Sequence, residues 1–150
     1  MDAGGPSGLW LRLEAEPATS ASRTFEALVD PDELRQWWGP HGFTIPRLDL
    51  DPSVGGRYRF AMQPPEGDLF HLEGSFLEVA PPDRLSFTFR WEEPDPDDVE
   101  TVVTVSLVDL GNSTRLTVQQ GAFVTEARRE LHEGGWSESL RKLENLLASA

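Results

Sequence analysis

From Thr44 to Gln120 the chain keeps returning to a period of two, and from Thr125 to Ala148 it switches to a helical period. That succession constrains the fold more than any other feature. A half-buried strand alternates apolar and polar side chains, whereas an amphipathic helix repeats every three or four residues. The cleanest strands are Arg57 to Met62, with Tyr58, Phe60 and Met62 on one face, and Leu85 to Trp91, which carries Phe87, Phe89 and Trp91. Thr44 to Asp51 is a third, and Pro46 in it predicts an edge position or a bulge. Leu69 to Val79 is long, and Gly74 predicts a bend or bulge there. Val99 to Leu110 and Arg115 to Gln120 flank the turn Gly111-Asn112-Ser113. In the last segment Trp136, Leu140, Leu143 and Leu147 form one apolar stripe, with His132 on the same line a turn earlier. Gly134-Gly135 predicts a kink or a close backbone approach, since each glycine costs a helix about 1 kcal/mol relative to alanine.

The segment ahead of Thr44 is different. Leu9 to Glu16 reads as a strand that Pro17 ends. Thr19 or Ser20 then caps a short helix reaching Leu28, and Asp30-Pro31 starts a second, with Asp30 as N-cap and proline at the first helical position. That helix runs into Trp37-Trp38-Gly39-Pro40-His41-Gly42-Phe43 and stops there. A tryptophan buries ~150–250 Å², so the paired rings form either a wall of an apolar cavity or a plug for the core. Hairpin-length connections make the sheet antiparallel. Only the terminal helix is long enough to cover its apolar face. The expected class is α+β: a curved antiparallel sheet of about six or seven strands around a long C-terminal helix. Two short helices after the first strand close one end, and a space remains between sheet and helix.

At 150 residues the chain reads as a loose tail, residues 1–8, and one domain, residues 9–150. The first residues lack the basic and apolar regions of a secretory signal, and no apolar run approaches the ~20 residues of a membrane span. The absence of cysteine fits a reducing compartment, so a cytoplasmic location is expected. The net charge of −13 argues against nucleic acid and anionic membranes as partners. Arg128-Arg129 and Arg141-Lys142 alternate with glutamates and read as a solvated helix face. Asp51 is expected to accept backbone hydrogen bonds in the turn to Gly55, rather than join Asp49 on a cation. The run from Glu92 to Asp98 reads as a repelling, solvated hairpin tip rather than a calcium loop. No metal and no cofactor are expected.

With this order in place, four stretches resemble the START-related SRPBCC superfamily, whose fold is called helix-grip. Within it they are similar to bacterial single-domain proteins of the activator-of-Hsp-ATPase homologue group. The stretches are Trp37 to Phe43, Asp51 to Tyr58, Gly74 to Val79 continuing through Pro82 to Leu85, and His132 to Trp136 followed by Leu140 and Leu143. The resemblance implies the helix-grip fold and a cavity for apolar or amphipathic small molecules. It implies no single activity, because the superfamily includes lipid carriers, hormone receptors, cyclases and co-chaperone domains.

A cavity needs apolar side chains converging from several elements. Alternation offers Tyr58, Phe60, Met62, Phe70, Leu72, Phe76, Phe87, Phe89 and Trp91, then Val103, Val105, Leu116 and Val118. Trp38, Phe43, His132, Trp136 and Leu140 would close the space from the turn and helix. A fully packed core is the alternative. His132 is either a proton-transfer residue or a polar cap on the helix packing. His41 and His71 read as surface residues, and Arg57 and Arg59 as partners of acids on a neighbouring strand. The leading expectation is a binding protein for a small apolar or amphipathic ligand, as a monomer or weak homodimer. The alternatives are a cofactor-free cyclase- or hydrolase-like enzyme using His132 or Tyr58, and a co-chaperone-like interaction module.

Overall fold

A computed structural model describes residues 8–148. The expected tail therefore lies outside the described residues, except for Gly8. Seven strands form one antiparallel sheet. The elements in order are β1 (Leu9–Ala15), α1 (Ala21–Val29), α2 (Pro31–Trp37), β2 (Thr44–Leu50), β3 (Arg57–Gln63), β4 (Phe70–Ala80), β5 (Arg84–Trp91), β6 (Thr101–Asp109), β7 (Thr114–Phe123) and α3 (Glu126–Ala148). The spatial order is β1-β7-β6-β5-β4-β3-β2. The chain thus leaves one edge at β1, crosses through α1 and α2 to the far edge at β2, and returns by hairpins until β7 pairs with β1. The helix-grip architecture is the observed one.

Local chemistry sets the boundaries. The Ser20 hydroxyl accepts from the Arg23 N–H, and Asp30 accepts from the Asp32 and Glu33 N–H groups, so both short helices start on side-chain caps. Arg23 joins α1 to α2 through Glu33. Proline 46 satisfies both of its expectations: β2 is an edge strand, and its register against β3 shifts between Thr44 and Arg47. Gly74 behaves differently from expectation. The bulge in β4 falls between Phe76 and Glu78, while Gly74 stays paired with Tyr58. Glycine is there for space: a Cβ would lie 2.0 Å from the Thr88 carbonyl oxygen and 2.6 Å from the Tyr58 ring. The Tyr58 hydroxyl donates to that same carbonyl at 2.6 Å. Gly74→Ala is expected to destabilise the protein by at least ~2 kcal/mol through overpacking, measured as a fall in the urea midpoint.

The inward face of the sheet and the stripe of α3 share one core. Leu11, Leu72, Val103, Leu116, Val118, Leu143 and Leu147 are all buried in it. One buried polar chain, which alternation alone does not reveal, crosses the core: the Trp136 indole donates to Gln120 at 2.8 Å, and Gln120 donates to the Thr101 hydroxyl at 2.9 Å. Buried polar groups must be paired in this way to avoid a desolvation penalty. The α3 helix runs through Gly134-Gly135 without a break. The Asp51 turn also differs in detail: its carboxylate accepts from the Ser53 hydroxyl, and its carbonyl accepts the Ser53 N–H. Asp49 pairs with Arg47 at the surface.

Candidate functional site

Between the first half of α3, the turn after α2 and the ends of β3, β4 and β5 lies a cavity of about 700 Å³. Antiparallel pairing gathers its walls. Met62 faces Phe70 across β3 and β4, and Trp91 lies at the adjacent end of β5. The chain must reverse from α2 into β2, and Gly39 with φ +91° permits that reversal. The turn is docked on α3, since the His41 N–H donates to Glu138 at 2.8 Å. It carries Trp38 against Trp136, with ring centroids 5.2 Å apart and planes near perpendicular. Phe70 and Trp91 meet edge to face at 5.1 Å, as do Phe89 and Trp91. Such tilted pairs are the favoured aromatic geometry.

Of the side chains expected at a cavity, Trp38, Phe43, Met62, Phe70, Phe89, Trp91, His132 and Trp136 line this one. The others do not. Leu72, Val103, Val105, Leu116, Val118 and Leu140 are packed in the core. Tyr58, Phe60, Phe76 and Phe87 border a separate crevice of about 20 Å³, too small for a guest molecule. The reason is axial position. Alternation tells which face a residue occupies, but not how far along the strand the helix stays in contact. The α3 helix packs on β1 and β7, and the space lies beside its first half, where Gly134 and Gly135 face the turn after α2 and the ends of β3, β4 and β5. The question raised by the paired tryptophans has two answers. Trp38 is wall. Trp37 is plug, 2 % exposed, with its indole donating to the Ala27 carbonyl at 2.9 Å.

Several lining residues were not expected. Gly134 and Gly135 form part of the helical wall. A Cβ on Gly134 would meet nothing within 4 Å, and one on Gly135 only the Pro40 ring at 3.7 Å. Neither glycine is imposed by crowding, so both keep room open at the expense of helix propensity. The expected repelling tip is likewise corrected. Arg128 is 15 % exposed, not a solvated residue, and it draws in Asp95, Asp97 (3.0 Å) and Asp98 (3.3 Å). Thr125 caps α3 through the Arg128 N–H and donates to Asp97. These bonds fold the acidic loop over the cavity mouth. Burial alone would lower the Arg128 pKa; its hydrogen bonds to Asp97 and Asp95 and the charge of Asp98 leave it above the ordinary value. Asp97 is held below its ordinary range chiefly by its hydrogen bond from Arg128. Glu93 is lowered chiefly by its hydrogen bond with His71.

His132 sits half-buried against Phe123, Phe89 and Trp91, with ring centroids at 4.9, 5.3 and 6.0 Å. Desolvation first, and the charge of Arg128 second, push its pKa down to about 4. At neutral pH the ring is uncharged. Below pH 6.5 an unfolded chain takes up this proton while the folded one does not, so stability falls as pH drops from about 6.5 to about 4. The expected loss is at most about 3 kcal/mol, and it should vanish in His132→Gln. Urea unfolding at stepped pH, with an NMR titration of the ring, checks this. Loss of the Asp97 and Glu93 pairs then begins below the ordinary carboxylate range.

A second groove, about 380 Å³, lies beside Arg59, Glu73, Arg90 and Glu92. Its arginines are already engaged: Arg59 with Glu92 at 2.6 Å, and Arg90 with Glu73, which also holds Arg57 at 3.1 Å. Among the described residues no cluster of histidines and carboxylates could hold a metal ion, and no helix is long and apolar enough to cross a membrane.

Three solved structures set this geometry among known proteins. A protein of Chromobacterium violaceum is 27 % identical, with a TM-score of 0.85 over 92 % of this chain and 96 % of its own. The AHSA1 protein of Silicibacter pomeroyi is 34 % identical, with a TM-score of 0.81 over 93 % and 97 %. A protein of Nitrosomonas europaea is 30 % identical, with a TM-score of 0.78 over 94 % and 95 %. A search of curated proteins gave no significant match. The profile of the family described as Activator of Hsp90 ATPase homolog 1-like protein matches residues 18–148. The helix-grip sheet, the docked tryptophan turn and this match over most of the sequence lead to one assignment: the chain belongs to the Activator of Hsp90 ATPase homolog 1-like family.

Proposed function

We propose that this protein binds a small apolar or amphipathic molecule in the aromatic cavity, acting in the cytoplasm without metal or redox cofactor. The observation that carries this reading is the walled space of about 700 Å³, within the ~300–1,000 Å³ typical of ligand sites. It is supported by Gly134 and Gly135, where nearly any other residue would narrow the space and strengthen the helix. The lining joins apolar rings to a few polar groups near the mouth, as amphipathic ligands require.

The acid–base alternative rests on His132 or Tyr58. With a pKa of about 4, His132 is a weak base at neutral pH. The Tyr58 hydroxyl is committed to the Thr88 carbonyl and raised well above its ordinary pKa, first by burial. A co-chaperone role calls for a contiguous exposed apolar patch; the side chains it could draw on include Val54 in the β2–β3 turn, Leu77 on β4, Val108 on β6 and Leu131 on α3. Titration with the neutral dye Nile red tests the binding reading. A saturable rise in dye emission, with matching quenching of tryptophan, is expected. A response that stays linear in dye would refute it.

A further inference from the structure

We propose that the occupant of this cavity is cationic, an amine or quaternary ammonium joined to an apolar body; the inference rests on the binding reading above. The lining carries Glu93, Asp95, Asp98, Glu130 and Glu138 against a single guanidinium, Arg128. That guanidinium is already engaged by three aspartates. Its Nε and two Nη groups face Asp97, Asp98 and Asp95, so an anionic headgroup would have to compete with three carboxylates for it. Lys142, the nearby ammonium, points at the Pro40 carbonyl 3.5 Å away and is not part of the lining. Glu130, by contrast, is exposed at the mouth and has no ion-pair partner among the described residues, while the Glu138 carboxylate accepts the His41 N–H and feels the Lys142 charge without a direct ion pair. A carboxylate or sulfate headgroup would therefore enter a field of like charge, while a cation would be drawn in.

The walls agree with the rim. Trp38, Trp91 and Phe70 present aromatic surface, and ring faces attract cations, most strongly when water is excluded. An apolar body packed among these rings would leave its charged end beside the glutamates. The two features select the same molecule: rings for the body and the cation, carboxylates for the counter-charge.

Three competitors with straight tails of nine or ten carbons and different headgroups test the proposal: decyltrimethylammonium, decanol and decanoate, each displacing Nile red from the full chain below micelle formation. The ammonium should bind at least roughly tenfold more tightly than decanoate, with decanol between them. High salt and the Glu130→Gln/Glu138→Gln double variant should both shrink that ratio. Decanoate binding as tightly as the ammonium, while decanol and dye still bind, would overturn the cationic assignment and leave the cavity reading standing. A preference unmoved by salt and by the double variant would overturn it as well. If neither dye nor any competitor binds, the cavity reading falls and takes this inference with it.

Discussion

Leucine in place of Gly134 is expected to raise the unfolding midpoint and, in the same protein, to weaken Nile red binding by roughly tenfold or more. Two physical effects act at one atom. Glycine inside a helix is about 0.8–1.0 kcal/mol less favourable than alanine, and leucine is nearly as good as alanine. A Cβ built on Gly134 meets no atom within 4 Å, so the substitution brings no clash. Gly134 lines the cavity at an exposed position, so a leucine side chain there takes up part of that space. A gain in stability coupled to a loss of binding separates a functional cavity from an accidental gap. Gly134→Ala serves as the control, keeping most of the stability gain and most of the binding. Thermal melts and dye titrations on the three proteins are sufficient. Retention of full affinity in the leucine variant would move the binding site elsewhere.

Trp37→Ala should be the most damaging single substitution in the turn region, at ~3–5 kcal/mol for the lost ring. A further ~1–3 kcal/mol follows from the orphaned Ala27 carbonyl. The second figure has a specific cause. The α1 helix leaves its last carbonyls unpaired, and the natural donor to Ala27, four residues on, is Pro31, which has no N–H. The Trp37 indole supplies the missing donor. Against a typical total of ~5–15 kcal/mol, the alanine variant approaches unfolding. Trp37→Phe isolates the hydrogen bond: it should cost ~1–3 kcal/mol and leave dye binding unchanged, because Trp37 lies outside the cavity lining. Denaturant melts with parallel titrations read both quantities. Equal stability of the phenylalanine variant and the natural protein would remove the capping role.

Much of the architecture is legible in the chain. Period-two runs place Tyr58, Phe60, Met62, Phe87 and Phe89 on the inner face, and all are buried. The stripe Trp136, Leu140, Leu143 and Leu147 is the buried side of α3. The cap at Asp30 is where the sequence places it, and of the two candidates Thr19 and Ser20 it is Ser20 that caps α1. Charge was harder to read. The acidic run after Glu92 looks self-repelling only until Arg128, about thirty positions later, is brought against it. Long-range ion pairs leave no periodic signal. The same limit hides Gln120, a polar residue on an apolar face whose reason is an indole in another element.

Local pattern alone determined the strands, the helices, the antiparallel order and the face each residue presents, because each depends on near neighbours and a fixed geometric period. Only the tertiary structure decided where along that face the core leaves room for a cavity. That divides Trp38 from Trp37, Met62 from Phe60, and Phe89 from Phe87, and it turns Gly134-Gly135 from a suspected kink into cavity wall. The physical reason is that a void is the absence of contact among distant parts of the chain. It is set by how the sheet, the tryptophan turn and the terminal helix come together in space, a quantity no single stretch of sequence contains.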